Sequence, residues 1–223
     1  SLGFYCFELL YDQEYKLRKL LSSTSGRTQL GLLYDVEGTN ERIKVNSVCL
    51  DFLTQVPFLP KETRAIFLNE LCKTIMDFKD SNVSVLVVPF CGLNDVSTPI
   101  DLIEMLSFIQ CNNLDSLASD AGLSLSLEID LPANVLVDGF KNFNFNNVGI
   151  CFDLGNARAT GLIPENEILI LGDLISHVHL KDRSYGGPNV MFGNGQVDFS
   201  ACFNSLKKIG YQGHLIMEVK YFS

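Results

Sequence analysis

The sequence predicts an α/β fold of parallel βα units: a TIM (β/α)8 barrel, expected to lack its first strand and helix. Three observations predict it. Short apolar runs alternate with longer segments of helical periodicity along all 223 residues, which is the pattern of parallel βα units. No glycine-rich phosphate turn follows an early run, as a doubly wound nucleotide-binding sheet would require. Four of the runs close on a polar residue (Glu128, Asp153, His179 and Glu218), and barrel enzymes draw their chemistry from the C-terminal ends of several strands.

The elements follow in order. Strands are expected over Phe4–Leu9, Lys44–Leu50, Ser84–Phe90, Leu123–Ile129, Val148–Asp153, Ile175–Leu180 and His214–Val219. Most are near-continuous apolar runs, as strands covered on both faces should be. Helical patterns separate them. One is expected around Thr28–Val36, and Pro60–Phe78 places Ile66, Leu68, Leu71, Ile75 and Phe78 on or near one face, with Pro60 suited to the first turn. Ile100–Ala121 reads as one helix behind Thr98-Pro99, a cap followed by an N1 proline. Short helices are expected near Pro132–Asn142 and Pro164–Leu174. Asp198 should cap Phe199–Ile209, and Gly210 should stop it. No linker, low-complexity tract or short repeat interrupts the series, so residues 1–223 read as a single domain.

Composition narrows the function classes. Hydrophobic residues make up 47 % and charged residues 19 %, with Lys+Arg 17 against Asp+Glu 26 and a net charge of −9. Such a chain is neither disordered nor a coiled coil, and its charge repels nucleic acid. No run reaches the ~20 apolar residues of a membrane helix, and the first residues lack a basic segment and a cleavage site. The seven cysteines are scattered with no C-x-x-C pair, which argues against a disulfide framework and a thiol-only zinc site. A cytoplasmic setting is the expectation.

The four strand ends carry the chemistry. A lone carboxylate there ordinarily caps the next helix or pairs with a lysine or arginine. Three converging on one mouth repel one another, and a divalent cation removes that conflict. Mixed carboxylate and imidazole donors suit Mn²⁺ or Zn²⁺ first, with Co²⁺ or Mg²⁺ as alternatives. The spacings of 25, 26 and 39 residues are about one βα unit each. Lys181 projects to the same side as His179, either toward a substrate oxygen or phosphate or paired with Asp182 or Glu218. His177 is expected to face away from His179 as a core residue, His214 to serve stability and Glu8 to be structural. Gly193 and Gly195 allow a tight turn over the mouth, near any phosphate.

These segments resemble a known family. LEI at 127–129, DLGN at 153–156, HVHLKD at 177–182, FGNGQVDF at 192–199 and GYQGHLIMEV at 210–219 are similar to the xylose isomerase-like TIM-barrel superfamily of sugar-phosphate isomerases and epimerases. The L-ribulose-5-phosphate (L-xylulose-5-phosphate) 3-epimerase group is the nearest pattern, and SVCLDF at 47–52 looks like its third strand. GFYCFEL at 3–9 resembles the family's second strand, which is why the first strand and helix are expected to be missing.

The resemblance implies one divalent metal ion held by Glu128, Asp153, His179 and Glu218, with Glu128 and Glu218 as the acid/base pair. It implies epimerisation or isomerisation of a ketose or ketose phosphate by proton abstraction and return through a metal-stabilised enediolate. Asn156 stands where many relatives carry a substrate-binding histidine. Asn156, Lys181 and Arg183 are the substrate-binding candidates, although Arg183 lies closer to the metal histidine than the arginine of the free-ketose epimerases. A homodimer or larger assembly is also implied. An inosose dehydratase-like lyase and a catalytically degenerate barrel acting as a binding module are the alternatives. Endonuclease IV belongs to the same superfamily, but three histidines in the chain are too few for its three-zinc site.

Overall fold

The computed structural model describes residues 6–11, 34–35 and 42–218. Contacts divide the chain into two compact units. The first comprises Ser1–Asp95, Ile109–Leu125 and Asn146–Val148, and the second Val96–Phe108, Ser126–Phe145 and Gly149–Ser223.

In the first unit, β1 (Cys6–Leu10), β3 (Arg42–Cys49) and β4 (Val85–Phe90) are parallel neighbours. All six residues of β4 are buried, as its unbroken apolar run requires. Of the helix expected around Thr28–Val36, Tyr34–Asp35 form instead a two-residue strand, β2, antiparallel to β3, and residues 28–33 and 36 lie outside the described residues. Helix α1 (Lys61–Phe78) starts one residue later than expected, with Pro60 as its N-cap. A 3-10 turn at Asp51–Gln55 follows β3 and buries Phe52 and Leu53.

Two aromatic clusters fill this unit. Tyr11 meets Phe52 and Phe78 edge-on at 5.3 and 5.9 Å, and Phe58 meets Phe67 and Phe90 at 5.5 and 6.1 Å. Asn94 is fully buried, and its side chain accepts from Phe58 N at 3.0 Å and donates to the Pro89 carbonyl at 3.3 Å. Pro89 has no N–H for the ladder, and the bonds of Asn94 tie the end of β4 to the loop before α1.

Thr98 and Asp101 form a reciprocal cap, the Thr98 hydroxyl accepting from Asp101 N and Asp101 accepting from Thr98 N. The single helix expected over Ile100–Ala121 is two, α2 (Pro99–Cys111) and α3 (Leu114–Asp120). Asn113 adopts φ +52° between them. Asparagine takes that left-handed conformation more readily than most residues, so the chain turns there.

The second unit carries the rest of β5 (Ser124–Ile129), β6 (Val148–Asp153), β7 (Ile175–Leu180) and β10 (Leu215–Met217), adjacent in that order. Among the described residues the parallel strands number seven. Helices α4 (Ala133–Phe140), α5 (Leu154–Ala159), α6 (Pro164–Leu171) and α7 (Phe199–Lys208) join them. Asp198 caps α7 by accepting from Ala201 N, and Gly210 follows at φ +73°. A small hairpin, β8 (Asp182–Arg183) with β9 (Asn189–Val190), lies after β7. The register of β6 on β7 slips between Ile150 and Cys151, after which Asp153 stands opposite His179. Gly149 lies at that slip, where a Cβ would come within 2.6 Å of the Ser176 hydroxyl. No helix among the described residues is long and apolar enough to cross a membrane.

Asn94→Ala strands a buried amide and a buried carbonyl, and should cost ~2–4 kcal/mol of stability. Urea unfolding measures it; a change below ~0.5 kcal/mol would contradict the role given to Asn94.

Candidate metal centre

Parallel strands end on the same side, so a polar residue closing each of β5, β6 and β7 meets the others there. Glu128 is the penultimate residue of β5, Asp153 the last of β6 and His179 the penultimate of β7. Glu218 follows β10, where its backbone N donates to the Leu180 carbonyl at 2.9 Å. Donor atoms of Glu128, Asp153 and His179 all lie within 4.8 Å of one another. His179 Nδ1 is 3.2 Å from Glu218 Oε1 and 3.9 Å from Glu128 Oε2. The His179 side chain is wholly buried, whereas that of Glu218 is 32 % exposed.

The surrounding residues fix these carboxylates. Lys181 Nζ bridges Asp153 Oδ2 and Glu218 Oε2 at 2.6 Å each. Asp153 Oδ1 caps α5 by accepting from Asn156 N at 2.9 Å. The Asn156 side chain donates to Glu128 Oε1 at 3.3 Å and accepts from Arg183 Nη1 at 2.9 Å. Arg183 can only donate, so it holds the asparagine with its NH₂ toward Glu128. Arg183 also donates through Nε and Nη2 to the Gly187 carbonyl at 3.0 and 2.9 Å. Gly155 lets the start of α5 press onto β7: a Cβ there would stand 2.8 Å from that of Lys181.

Electrostatics follow the crowding. Burial pushes the Glu128 carboxyl up to about 8; His179 and Lys181 oppose the rise, and the charges of Asp153 and Glu218 add to it. Burial alone would lower Lys181, but Asp153 and Glu218 more than reverse this and hold its ammonium above the usual lysine range.

The residues suit a divalent cation. Ligands ~2.0–2.2 Å from a common ion stand on the order of 3–4 Å apart, and the separations from His179 Nδ1 to Glu218 and Glu128 fall there. The donors, three carboxylates and an imidazole, are the set that Mn²⁺ and Zn²⁺ accept.

The structure thus brings Glu128, Asp153, His179, Glu218, Asn156, Lys181 and Arg183 together in the second unit. Three expectations change. His177 does not face away from His179: residues two apart on a strand share a face, and the rings stand 5.5 Å apart edge-to-face. Lys181 pairs with Glu218, one of its two expected partners, but its second partner is Asp153 and not Asp182. The glycine turn does not offer its amides to a phosphate, because the buried Asp182 carboxylate already accepts from Gly193, Gly195 and Val197 N at 2.8, 2.9 and 3.3 Å. That organising role of Asp182 was missed. The signal is an Asp directly after the VHLK run, answered by alternate N–H groups of a G-x-G turn.

Two measurements follow. In the metal-free chain the folded state holds the Glu128 proton from its ordinary 4.5 up to about 8, so stability falls as pH rises through that window. Glu128→Gln should flatten the fall by ~3–5 kcal/mol in urea melts of chelator-treated protein; equal falls in both proteins contradict this. Asp182→Ala should raise hydrogen exchange at the Gly193 and Gly195 amides by at least ~10-fold, and unchanged protection would show that the carboxylate does not hold the turn.

Comparisons with known proteins agree with the geometry. A family model described as "Xylose isomerase-like TIM barrel" matches residues 133–223. The L-ribulose-5-phosphate 3-epimerase UlaE of Salmonella typhi is 29 % identical over 98 % of this chain and 78 % of its own length. An uncharacterized Methanocaldococcus jannaschii protein is 28 % identical over 63 % of this chain, which spans about half (52 %) of that relative. Among solved structures, a xylose isomerase domain protein from Planctomyces limnophilus superposes with a TM-score of 0.75 at 21 % identity, over 97 % of this chain and 80 % of that one. The IOLI protein, solved with a zinc atom bound, gives 0.71 at 16 % identity, over 97 % and 80 %. Residues 133–223 thus fit the xylose isomerase-like TIM-barrel family model, the fold agrees with it, and the chain is distantly homologous to L-ribulose-5-phosphate 3-epimerases.

Proposed function

We propose that this chain is a divalent-metal-dependent epimerase of a ketose or ketose phosphate, acting at C3. The observation that carries the reading is the pair of carboxylates beside one imidazole: Glu128 from β5 and Glu218 after β10, at 3.9 and 3.2 Å from His179 Nδ1. Inversion at carbon needs one group to remove a proton from one face and a second to return it on the other. Two carboxylates from non-adjacent strands supply such a pair.

Glu128, Asp153, His179 and Glu218 would hold the metal, which when bound supplies Lewis-acid polarisation of a keto oxygen and its neighbouring hydroxyl. The chain's residues do the rest. Glu128 takes or returns the C3 proton at a carboxylate oxygen, its other oxygen steadied by the Asn156 amide. Glu218, anchored by Lys181, does the same from the opposite face. Asp153, capped into α5, and His179 keep the cluster in register. Asn156 and Arg183 stand beside Glu128, where substrate hydroxyls would meet them. The resemblance to L-ribulose-5-phosphate 3-epimerases makes pentulose 5-phosphates the first substrates to try.

The test is solvent-deuterium incorporation at C3 of L-ribulose 5-phosphate or L-xylulose 5-phosphate with Mn²⁺ or Zn²⁺ supplied. Wild type should exchange and epimerise. Glu218→Gln should lose epimerisation by ~10²-fold or more, yet still exchange the proton of the epimer whose C3–H faces Glu128. Absence of exchange with any pentulose or hexulose would sink the epimerase reading, and loss of water from the substrate would replace it with the lyase.

A further inference from the structure

Lys181 touches two members of the cluster at once, and its consequence is electrostatic. Its Nζ lies 2.6 Å from both Asp153 Oδ2 and Glu218 Oε2, with the lysine side chain 11 % exposed. Little solvent or salt reaches that ammonium to screen it. Glu128, Asp153 and Glu218 ionised would present three negative charges to a bound cation; with Lys181 fixed among them the net is two.

We propose that Lys181 is the charge-setting residue of the site, matching it to a divalent cation and excluding preference for a trivalent one. The inference rests on the reading that these carboxylates and His179 hold a metal. Lys181 has a second effect, the anchoring of Glu218. That side chain is 32 % exposed and follows a strand of three residues, so the ammonium limits where its carboxylate lies. The two effects separate cleanly. Loss of the anchor misplaces a negatively charged ligand, which weakens a trivalent cation at least as much as a divalent one and so cannot raise their affinity ratio. Loss of the charge favours cations in proportion to their own charge. The ratio of trivalent to divalent affinity therefore isolates the charge.

The experiment measures Mn²⁺ and Tb³⁺ binding by titration calorimetry on the full chain, stripped with chelator and kept in phosphate-free buffer. Lys181→Met removes the charge at similar volume. Lys181→Gln removes it while keeping a hydrogen-bond donor for Asp153, and serves if the first variant does not fold. Lys181→Arg keeps the charge, and Lys141→Met removes one from an exposed pair with Asp138 elsewhere. The Tb³⁺/Mn²⁺ affinity ratio should rise on the order of 10–100-fold in Lys181→Met and Lys181→Gln. It should stay within about threefold of wild type in Lys181→Arg and Lys141→Met. An unchanged ratio in the charge-removing variants, with Mn²⁺ still bound, overturns this inference and leaves the metal reading intact. A wild type that binds neither ion overturns both.

Discussion

Like charges at the ends of buried strands repel, and the carboxylate cluster of the second unit is organised around that repulsion. Glu128, Asp153 and Glu218 are costly neighbours unless positive charge or donated hydrogen bonds offset them. One lysine, one helix turn and one side-chain amide supply that help among them. Asp153 has the first turn of α5 and Lys181, Glu128 has the Asn156 amide, and Glu218 has Lys181. Burial first, and the charges of Asp153 and Glu218 after it, hold the proton on the Glu128 carboxyl up to about 8. A cluster left in that condition suits a cation that displaces the proton.

The supporting contacts are as directional as the cluster. Arg183 dictates the orientation of the Asn156 amide, and that orientation gives Glu128 a donor rather than an acceptor. Gly155 keeps the first turn of α5 against Lys181 without a clash. Asp182 shares a short segment with His179 and Lys181 but does different work, gathering the amides of the 193–197 turn. Adjacent residues of β7 and β8 therefore divide between the cluster and the loop beside it.

Much of this was legible in the chain. Buried parallel strands are written as apolar runs, so β4, β5, β6 and β7 fell within a residue of their expected bounds. Charged residues ending such runs gave the four cluster positions, because a polar strand end has few bland explanations once four occur in series. The break at Asn113 was not legible: polar residues on an exposed helix face look the same as polar residues at a turn. Partners across space were illegible for a similar reason. Lys181 has three nearby carboxylates in the sequence pattern, and only the packing of α5 on β7 decides between Asp153 and Asp182. The turn at 193–197 announced its glycines but not the anion that fills it.

The slip between β6 and β7 has a reach beyond its own two residues. Without it, Asp153 would stand opposite Val178, and the imidazole of residue 179 would leave by the far side of the sheet. The phase of the whole cluster is thus set at the slip, one residue after Gly149, whose missing side chain leaves room for that of Ser176. A side chain at position 149 would meet the Ser176 side chain and the Leu174 carbonyl, right beside the slip that puts Asp153 and His179 on one face.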